Sequence, residues 1–217
     1  MAALKSDEPL RIGISQRHWP IETQAFERDA LDSAWADWLL AKWPSASFLG
    51  LPNLQNTGQL LSYVQRWQLN AFILSGGGDA RTTARRVAVE AVLLDHAEKH
   101  RLPVLGVCRG MQVLHLRSGG ALSALTGHVR SVHHVHGADV DAEVNSWHDF
   151  GITALTPPWE ELARASDGSI EAMRHRQLPW LGLMWHPERD QGDVEAIWPW
   201  IAHAFGLPRP LLQEAAV

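Results

Sequence analysis

The sequence predicts an α/β fold: a three-layer sandwich with a mainly parallel central sheet, helices on both faces and a small antiparallel excursion. Three observations predict it. Strand-like apolar runs alternate with helical patterns four times in the first half of the 217 residues. The fourth of those strands turns through Gly106-Val107-Cys108-Arg109-Gly110 into a helical pattern, Met111, Val113, Leu114 and Leu116. A later apolar strand runs up to His186-Pro187-Glu188.

In chain order, residues 1–10 read as a loose terminus without the apolar core of a signal peptide. Residues 11–15 form a short strand, with Gln16-Arg17-His18-Trp19 at its C-terminal end, the side on which open α/β sheets bind ligands. Arg17 is there either as a bidentate carboxylate or phosphate ligand or as a solvated loop residue. Residues 26–42 are helical by period, with Leu31, Trp35, Trp38 and Leu39 on one face and Asp29 and Asp32 suited to the positive end of the dipole. Strand 47–51, a turn at Pro52-Asn53 and helix 57–67 follow, with Leu60, Leu61 and Val64 inward. Strand 71–74 runs into Ser75-Gly76-Gly77-Gly78-Asp79. Converging N–H groups there suit an anion. The Lys-Ser/Thr of a nucleotide P-loop does not follow, so an oxyanion hole and a plain flexible turn are the readings left. Helix 82–100 stops before Pro103, and the elbow helix ends at Gly119-Gly120.

The pattern then changes. Residues 126–156 show the short alternating runs of the antiparallel excursion. His128, His133, His134, His136 and His148 crowd it, with neither an i, i+4 helical pair nor a Cys partner to support a metal. An exposed β-ribbon is expected, His134 being available to a substrate. Residues 157–165 read as a short helix or turn, and 170–174 and 179–184 as paired strands around the solvated basic turn Arg174-His175-Arg176. Helix 193–205 closes the domain, Pro199 kinking it or marking its first turn, and 207–217 is a loose tail. There is no internal repeat and no linker, so residues 1–217 are expected to form one domain.

The chemistry is concentrated at two strand ends. Cys108 is the only cysteine. A lone cysteine is usually a small buried hydrophobe, but small residues on both sides of a strand-to-helix elbow leave the thiol clear, at a helix N-terminus that favours thiolate. Pro187 ends the second strand, so that His186 and Glu188 project together. His186 would take the Cys108 proton while Glu188 fixes the imidazole tautomer.

With these residues in view, the chain resembles the class I, triad-type glutamine amidotransferase superfamily, whose fold is flavodoxin-like. Within it the likeness is to stand-alone gamma-glutamyl hydrolases (the peptidase C26 type). It spans about Arg11 to about Phe205 and rests on Ser75-Gly76-Gly77-Gly78-Asp79, the Cys108 elbow with Gln112, Asn145-Ser146-Trp147-His148 and His186-Pro187-Glu188. The resemblance implies catalysis by Cys108, His186 and Glu188, and an oxyanion hole from Gly76 or Gly77 with Arg109. It implies that Gln112, Ser146, Trp147 and His148 line the gamma-glutamyl pocket, with Trp147 in place of an aliphatic or tyrosine residue. Gln16-Arg17 with residues 27–32 also resembles a subgroup that cleaves a gamma-glutamyl group from a CDP-linked amidate during phosphoramidate sugar decoration. That places Arg17 and Asp29 beside the leaving group.

The expected activity is hydrolysis of a small molecule's gamma-glutamyl amide through a gamma-glutamyl thioester. The alternative is a glutaminase subunit supplying ammonia to a separate synthase; a synthetase domain is missing from these residues, which favours the hydrolase. A catalytically dead binding protein is disfavoured by the intact Cys108-His186-Glu188 set, and a nonspecific protease by the implied glutamyl-head pocket. No cofactor and no metal are expected. A net charge of −5 argues against a nonspecific nucleic-acid binder, and no run reaches the about 18 apolar residues of a membrane span. One cysteine excludes an internal disulfide framework and suits a cytoplasmic protein. Eleven tryptophans are mostly core mass, and exposed ones would suit a homodimer interface.

Overall fold

The computed structural model describes residues 9–20, 26–81, 83–189 and 194–207. Its parallel core is built from β1 (Arg11–Ser15), β4 (Ser47–Leu51), β5 (Ala71–Leu74), β6 (Val104–Val107) and β13 (Trp180–Leu183), in the order β4-β1-β5-β6-β13. β5, β6 and β13 are buried at every position. That is the signature of strands covered on both faces, which read as continuous apolar runs rather than alternating ones.

Helices supply the two covers. α1 (Ala34–Lys42) and α5 (Val194–Phe205) pack on one face, where Trp35, Trp38, Leu39, Trp198 and Ile201 meet Ile12, Ile14, Ile73 and Leu105. α2 (Leu60–Arg66), α3 (Ala84–His100) and α4 (Arg109–Arg117) belong to the other face, where Leu60, Val89, Leu93, Met111 and Leu114 meet Phe72, Leu74 and Val104. The two-residue period of β5 divides the layers: Ala71 and Ile73 face one, Phe72 and Leu74 the other. Eight of the eleven tryptophans are buried, four of them in an edge-to-face and tilted series, Trp35-Trp38-Trp43-Trp198; Trp19, Trp67 and Trp147 are exposed.

The antiparallel part continues the same sheet. β12 (Ile170–His175) pairs with β13, β11 (Trp159–Ala165) with β12, β8 (Val129–Gly137) with β11, and β9 (Asp141–Trp147) with β8. Two short pairs stand apart: β2 (Arg17–Pro20) with β3 (Glu27–Ala30), and β7 (Ser123–Ala124) with β10 (Phe150–Gly151).

Two local expectations change, and a third is narrowed to one of its alternatives. The helix expected over 26–42 begins only at Ala34, because Asp32 Oδ1 accepts the Ala34 N–H at 3.1 Å and stops the helix from extending backwards. The four residues Glu27–Ala30 instead pair with β2. The helix or turn expected over 157–165 is strand β11, whose alternation of buried and half-exposed residues suits pairing on both edges. Pro199 lies inside α5 rather than in its first turn. The tail over 208–217 lies outside the described residues. Among the described residues no helix is long and apolar enough to cross a membrane.

The layer spacing around the elbow is set by glycine. A Cβ on Gly110 would stand 2.0 Å from the Leu74 carbonyl oxygen, and one on Gly106 would stand 2.7 Å from the Gly110 backbone. Gly110→Ala must therefore push α4 off β5, and we expect a loss of at least about 2 kcal/mol of folding stability, read from the denaturant midpoint.

Candidate active site

β6 ends at Val107, and the Cys108 N–H donates to the Leu183 carbonyl at 2.7 Å, tying the elbow to the end of β13. Cys108 has φ 50° and ψ −105°, a region that costs a non-glycine residue about 1–3 kcal/mol. It caps α4, and its carbonyl accepts the Gln112 N–H at 3.2 Å. The glycines on either side therefore do more than clear space around sulfur: they let β5, β6 and α4 approach closely enough to hold the strained residue.

β13 ends one strand over. The Pro187–Arg189 turn brings Glu188 back under His186, with Nδ1 to Oε1 at 2.7 Å, both side chains buried. A carboxylate can only accept, so Nδ1 carries the proton and Nε2 is left for Cys108, which hydrogen-bonds the same imidazole. Asn145 fixes the backbone here reciprocally, Nδ2 donating to the His186 carbonyl at 2.9 Å and Oδ1 accepting the His186 N–H at 3.1 Å. Burial pulls the imidazole pKa down. The hydrogen bonds and charges of Cys108 and Glu188 outweigh it and carry the pKa up to about 9.

A buried ion network shapes the opposite wall. Glu90 on α3 accepts from Arg86 Nε at 2.9 Å, from Arg109 Nη1 at 2.6 Å and from the Ser15 hydroxyl at 2.9 Å. Arg86 in turn donates to three successive carbonyls, Ser75 at 2.6 Å, Gly76 at 3.2 Å and Gly77 at 2.8 Å. In a trans peptide the N–H points opposite the preceding C=O. Pinning those carbonyls toward Arg86 turns the N–H groups of Gly76, Gly77 and Gly78 the other way, and Gly77 and Gly78 share a cavity with Cys108. Burial pushes the Arg86 guanidinium down to about 10 against the pull of Glu90, so it stays charged at neutral pH.

That cavity is about 390 Å³ and is lined by Arg17, Gly77, Cys108, Arg109, Gln112, Trp147, His148, His186 and Arg189, among others. A second of about 250 Å³ shares Arg17, Gly77, His186 and Arg189 with it and adds Gly76, Trp19 and Glu188. A larger cavity of about 600 Å³, lined by Pro179, Trp180 and Trp200 among others, lies at the opposite end of the parallel strands. The structure thus brings together Cys108, His186, Glu188, Gly76, Gly77, Arg109, Gln112, Trp147 and Arg17. Gln112 already donates its amide to the Phe150 carbonyl at 2.7 Å. Arg17 stacks on Trp19, its Cζ 4.4 Å from the ring centroid.

Other expectations are corrected. Ser146 is fully buried and its hydroxyl donates to the His128 carbonyl at 2.7 Å, so that side chain faces away from the cavity. His148 reaches the cavity wall, but its ring nitrogens turn inward, Nδ1 to the Phe150 carbonyl at 3.1 Å and Nε2 toward Glu171 at 3.7 Å. Burial pushes its pKa down to about 4, and the neutral ring offers a substrate no charge. Asp29 is taken up by the Asn53 backbone and side chain at 2.8 and 2.7 Å; burial works against its charge, but these bonds hold its pKa low. The exposed ribbon fits His134 and His136 only; His128 and His148 are buried and His133 is half-buried.

Sequence reasoning missed Arg86, Glu90 and Arg189, and gave no role to Asn145, although Asn145 stands in a motif on which the resemblance rests. For the first two a signal existed: they sit at i and i+4 on the stripe that buries Val89, Leu93, Leu94 and Ala97. Arg189 pairs with Asp32 at 2.7 Å and lies over Trp147 at 5.7 Å, contacts between segments distant in sequence.

The family described as glutamine amidotransferase class-I matches residues 51–196. A gamma-glutamyl-CDP-amidate hydrolase of Campylobacter jejuni is 29% identical over 199 residues, covering 88% of this chain and 97% of its own. A glutamine-hydrolysing GMP synthase subunit from Methanococcus aeolicus is 26% identical over 159 residues, covering 66% of this chain and 79% of its own. The crystal structure of a GMP synthase subunit from Thermoplasma acidophilum superposes with a TM-score of 0.69, 16% identity and coverage of 92% of this chain and 96% of that one, a likeness of fold.

Two outcomes follow from the geometry. His186 is raised above its ordinary value, so its charge contributes stability that is fully present below about pH 6.5 and is lost as pH rises through about 9. Cys108→Ala removes one of the two partners that raise it, and the His186 midpoint in an imidazole NMR titration is expected to fall. Glu90→Gln leaves two buried guanidinium groups short of their countercharge, and we expect a stability loss of about 3–5 kcal/mol by denaturant titration.

Proposed function

We propose that this chain, which belongs to the class I glutamine amidotransferase family, is a cysteine-dependent hydrolase. It would cleave the gamma-glutamyl amide bond of a small molecule and release glutamate. The observation that carries the reading is the meeting of Cys108, on its strained elbow, with the buried His186–Glu188 pair at one cavity.

In the proposed reaction the Cys108 thiolate attacks the gamma-carbonyl carbon. The carbonyl electrons move onto oxygen, which the N–H groups of Gly77 and Arg109 stabilise. His186 Nε2–H gives its proton to the leaving nitrogen, the C–N bond breaks and a gamma-glutamyl thioester is left on Cys108. Water then attacks the thioester carbon and loses a proton to His186. The C–S bond breaks, glutamate departs and the thiolate–imidazolium pair returns. Glu188 keeps the imidazole in the tautomer that serves both halves. Gln112 and the backbone of residues 146–148 are the proposed contacts of the glutamyl head.

For the leaving group we propose a nucleotide-linked amidate, as in the name of the Campylobacter jejuni relative. Two guanidinium groups, Arg17 and Arg189, and two exposed indoles, Trp19 and Trp147, border the joined cavities. Guanidinium forks suit a diphosphate and an exposed indole suits a base. The second reading, an ammonia-supplying glutaminase, is favoured by the likeness to the GMP synthase subunit from Methanococcus aeolicus, which covers less of this chain.

The test is glutamate release by the purified protein alone, with L-glutamine, gamma-glutamyl amines and gamma-glutamyl-CDP-amidate compared. Fast turnover of the CDP conjugate and poor turnover of glutamine is expected. Activity on glutamine alone, or only after a synthase is added, would replace this reading with the glutaminase one. Cys108→Ala is expected to lower kcat by more than about a thousandfold with the fold retained. Arg17→Ala is expected to raise KM for the CDP conjugate about tenfold or more and to leave glutamine hydrolysis unaffected.

A further inference from the structure

His128, His148 and Glu171 lie outside the proposed reaction, yet they are more than nine-tenths buried and point at one another. They come from three segments: the start of β8, the end of β9 and β12. Their nearest nitrogen and oxygen atoms all fall within 4.8 Å of one another. Among the described residues, His128 Nδ1, His148 Nε2 and Glu171 Oε2 have no hydrogen-bond partner. Buried polar atoms without partners are rare and call for an explanation.

The outer contacts fix the tautomers. His148 Nδ1 faces the Phe150 carbonyl at 3.1 Å, and His128 Nε2 faces the Asp167 carboxylate at 2.8 Å. Both partners can only accept, so both of those nitrogens carry hydrogen. With neutral rings, His148 Nε2 and His128 Nδ1 present lone pairs toward Glu171 Oε1, at 3.7 and 3.9 Å. Three acceptors facing each other repel. The separations are too long for direct hydrogen bonds. They are a little longer than the about 3.3–3.6 Å between two donors that share a tetrahedral cation with bonds of about 2.0–2.2 Å, so the donors need only close in slightly to hold one. His133 Nε2 stands 3.3 Å from the other oxygen, Glu171 Oε2, as the nearest fourth donor. The surrounding arrangement is that of a metal centre's outer contacts: a carboxylate and a carbonyl on the histidines, and the Ser169 hydroxyl shared between Asp167 Oδ1 at 2.7 Å and Glu171 Oε1 at 3.1 Å.

We propose that His128, His148 and Glu171, with His133 completing the set, bind a zinc-class divalent cation. Two or three imidazoles and one carboxylate suit Zn²⁺ rather than the all-oxygen shell of Ca²⁺ or Mg²⁺. The cation would fasten the β8–β9 ribbon to β12. His148 lies between Trp147 and Asp149, which with it line the active-site cavity, so the clamp would set the position of that wall.

The test uses the full chain in a Cys108→Ala background, so that the thiol cannot act as a competing ligand. Protein stripped with chelator and shown to be folded by circular dichroism is titrated with ZnCl₂ by calorimetry, with MgCl₂ as the comparison. One Zn²⁺ per chain, a rise in Tm on binding and loss of binding in Glu171→Gln are expected. Asp167→Asn keeps all four proposed ligands; it removes the charge behind His128 while its amide oxygen can still accept from Ser169, and it is expected to weaken zinc about 10–100-fold; it answers the question if Glu171→Gln does not fold. Co²⁺ in place of zinc should give the visible absorption of a four-coordinate site. Folded, stripped protein that takes up no stoichiometric zinc overturns the proposal, as does zinc binding unchanged by both substitutions.

Discussion

The buried carboxylate of Glu90 is the constraint on which the site depends. It is fully buried between two guanidinium groups and accepts hydrogen bonds from both. Each arginine belongs to a different part of the site. Arg86 holds three carbonyls of the glycine turn after β5, and Arg109 opens α4 beside Cys108. Ser15, at the end of β1, joins the same carboxylate. One anion thus ties together the C-terminal ends of three neighbouring parallel strands. A buried ion network of this kind contributes little net stability compared with an apolar core. Its effect here is directional: it decides which way the amides of the glycine turn point.

The imidazole on the other side of the cavity is supported from the antiparallel half of the sheet. β9 is four strands away from β13 in the sheet order, about 19 Å if the sheet were flat. Asn145 on β9 nevertheless hydrogen-bonds the His186 backbone in both directions. The ribbon achieves this because β8 pairs with β11 only through Val135–Gly137, leaving the rest of β8 and β9 free to curl over the end of β13. The same curl brings Trp147 and His148 onto the cavity wall and gathers His128, His133 and His148 around Glu171. The support of His186 and the histidine cluster are therefore two consequences of one bend.

Legibility in the sequence followed the range of the interactions. The parallel strands and the elbow could be read because their determinants are local: apolar runs, small residues around Cys108, and a proline after His186. Residues 157–165 could not be read as a strand, because their alternation is short and their state is decided by partners on both edges. Residues 27–30 carried helical periodicity, but Asp32 and the pairing with β2 decided otherwise. Arg86 and Glu90 were visible as two charges on an apolar stripe, a signal whose meaning depends on what lies across from it.

By itself the sequence determined that β5 and β6 would be buried parallel strands and β13 an apolar one, that Cys108 would sit on an elbow, and that His186 and Glu188 would project from one strand end, since each follows from residues within a few positions of one another. The tertiary structure decided which charges would be buried together, that the Ser146 side chain would turn away from the cavity while Arg189 lined it, that the His148 ring nitrogens would turn inward from the cavity wall, and that three histidines would face one carboxylate. Those outcomes depend largely on pairing and curvature between segments 18 to 157 residues apart, and pairwise geometry at such distances has no local signature.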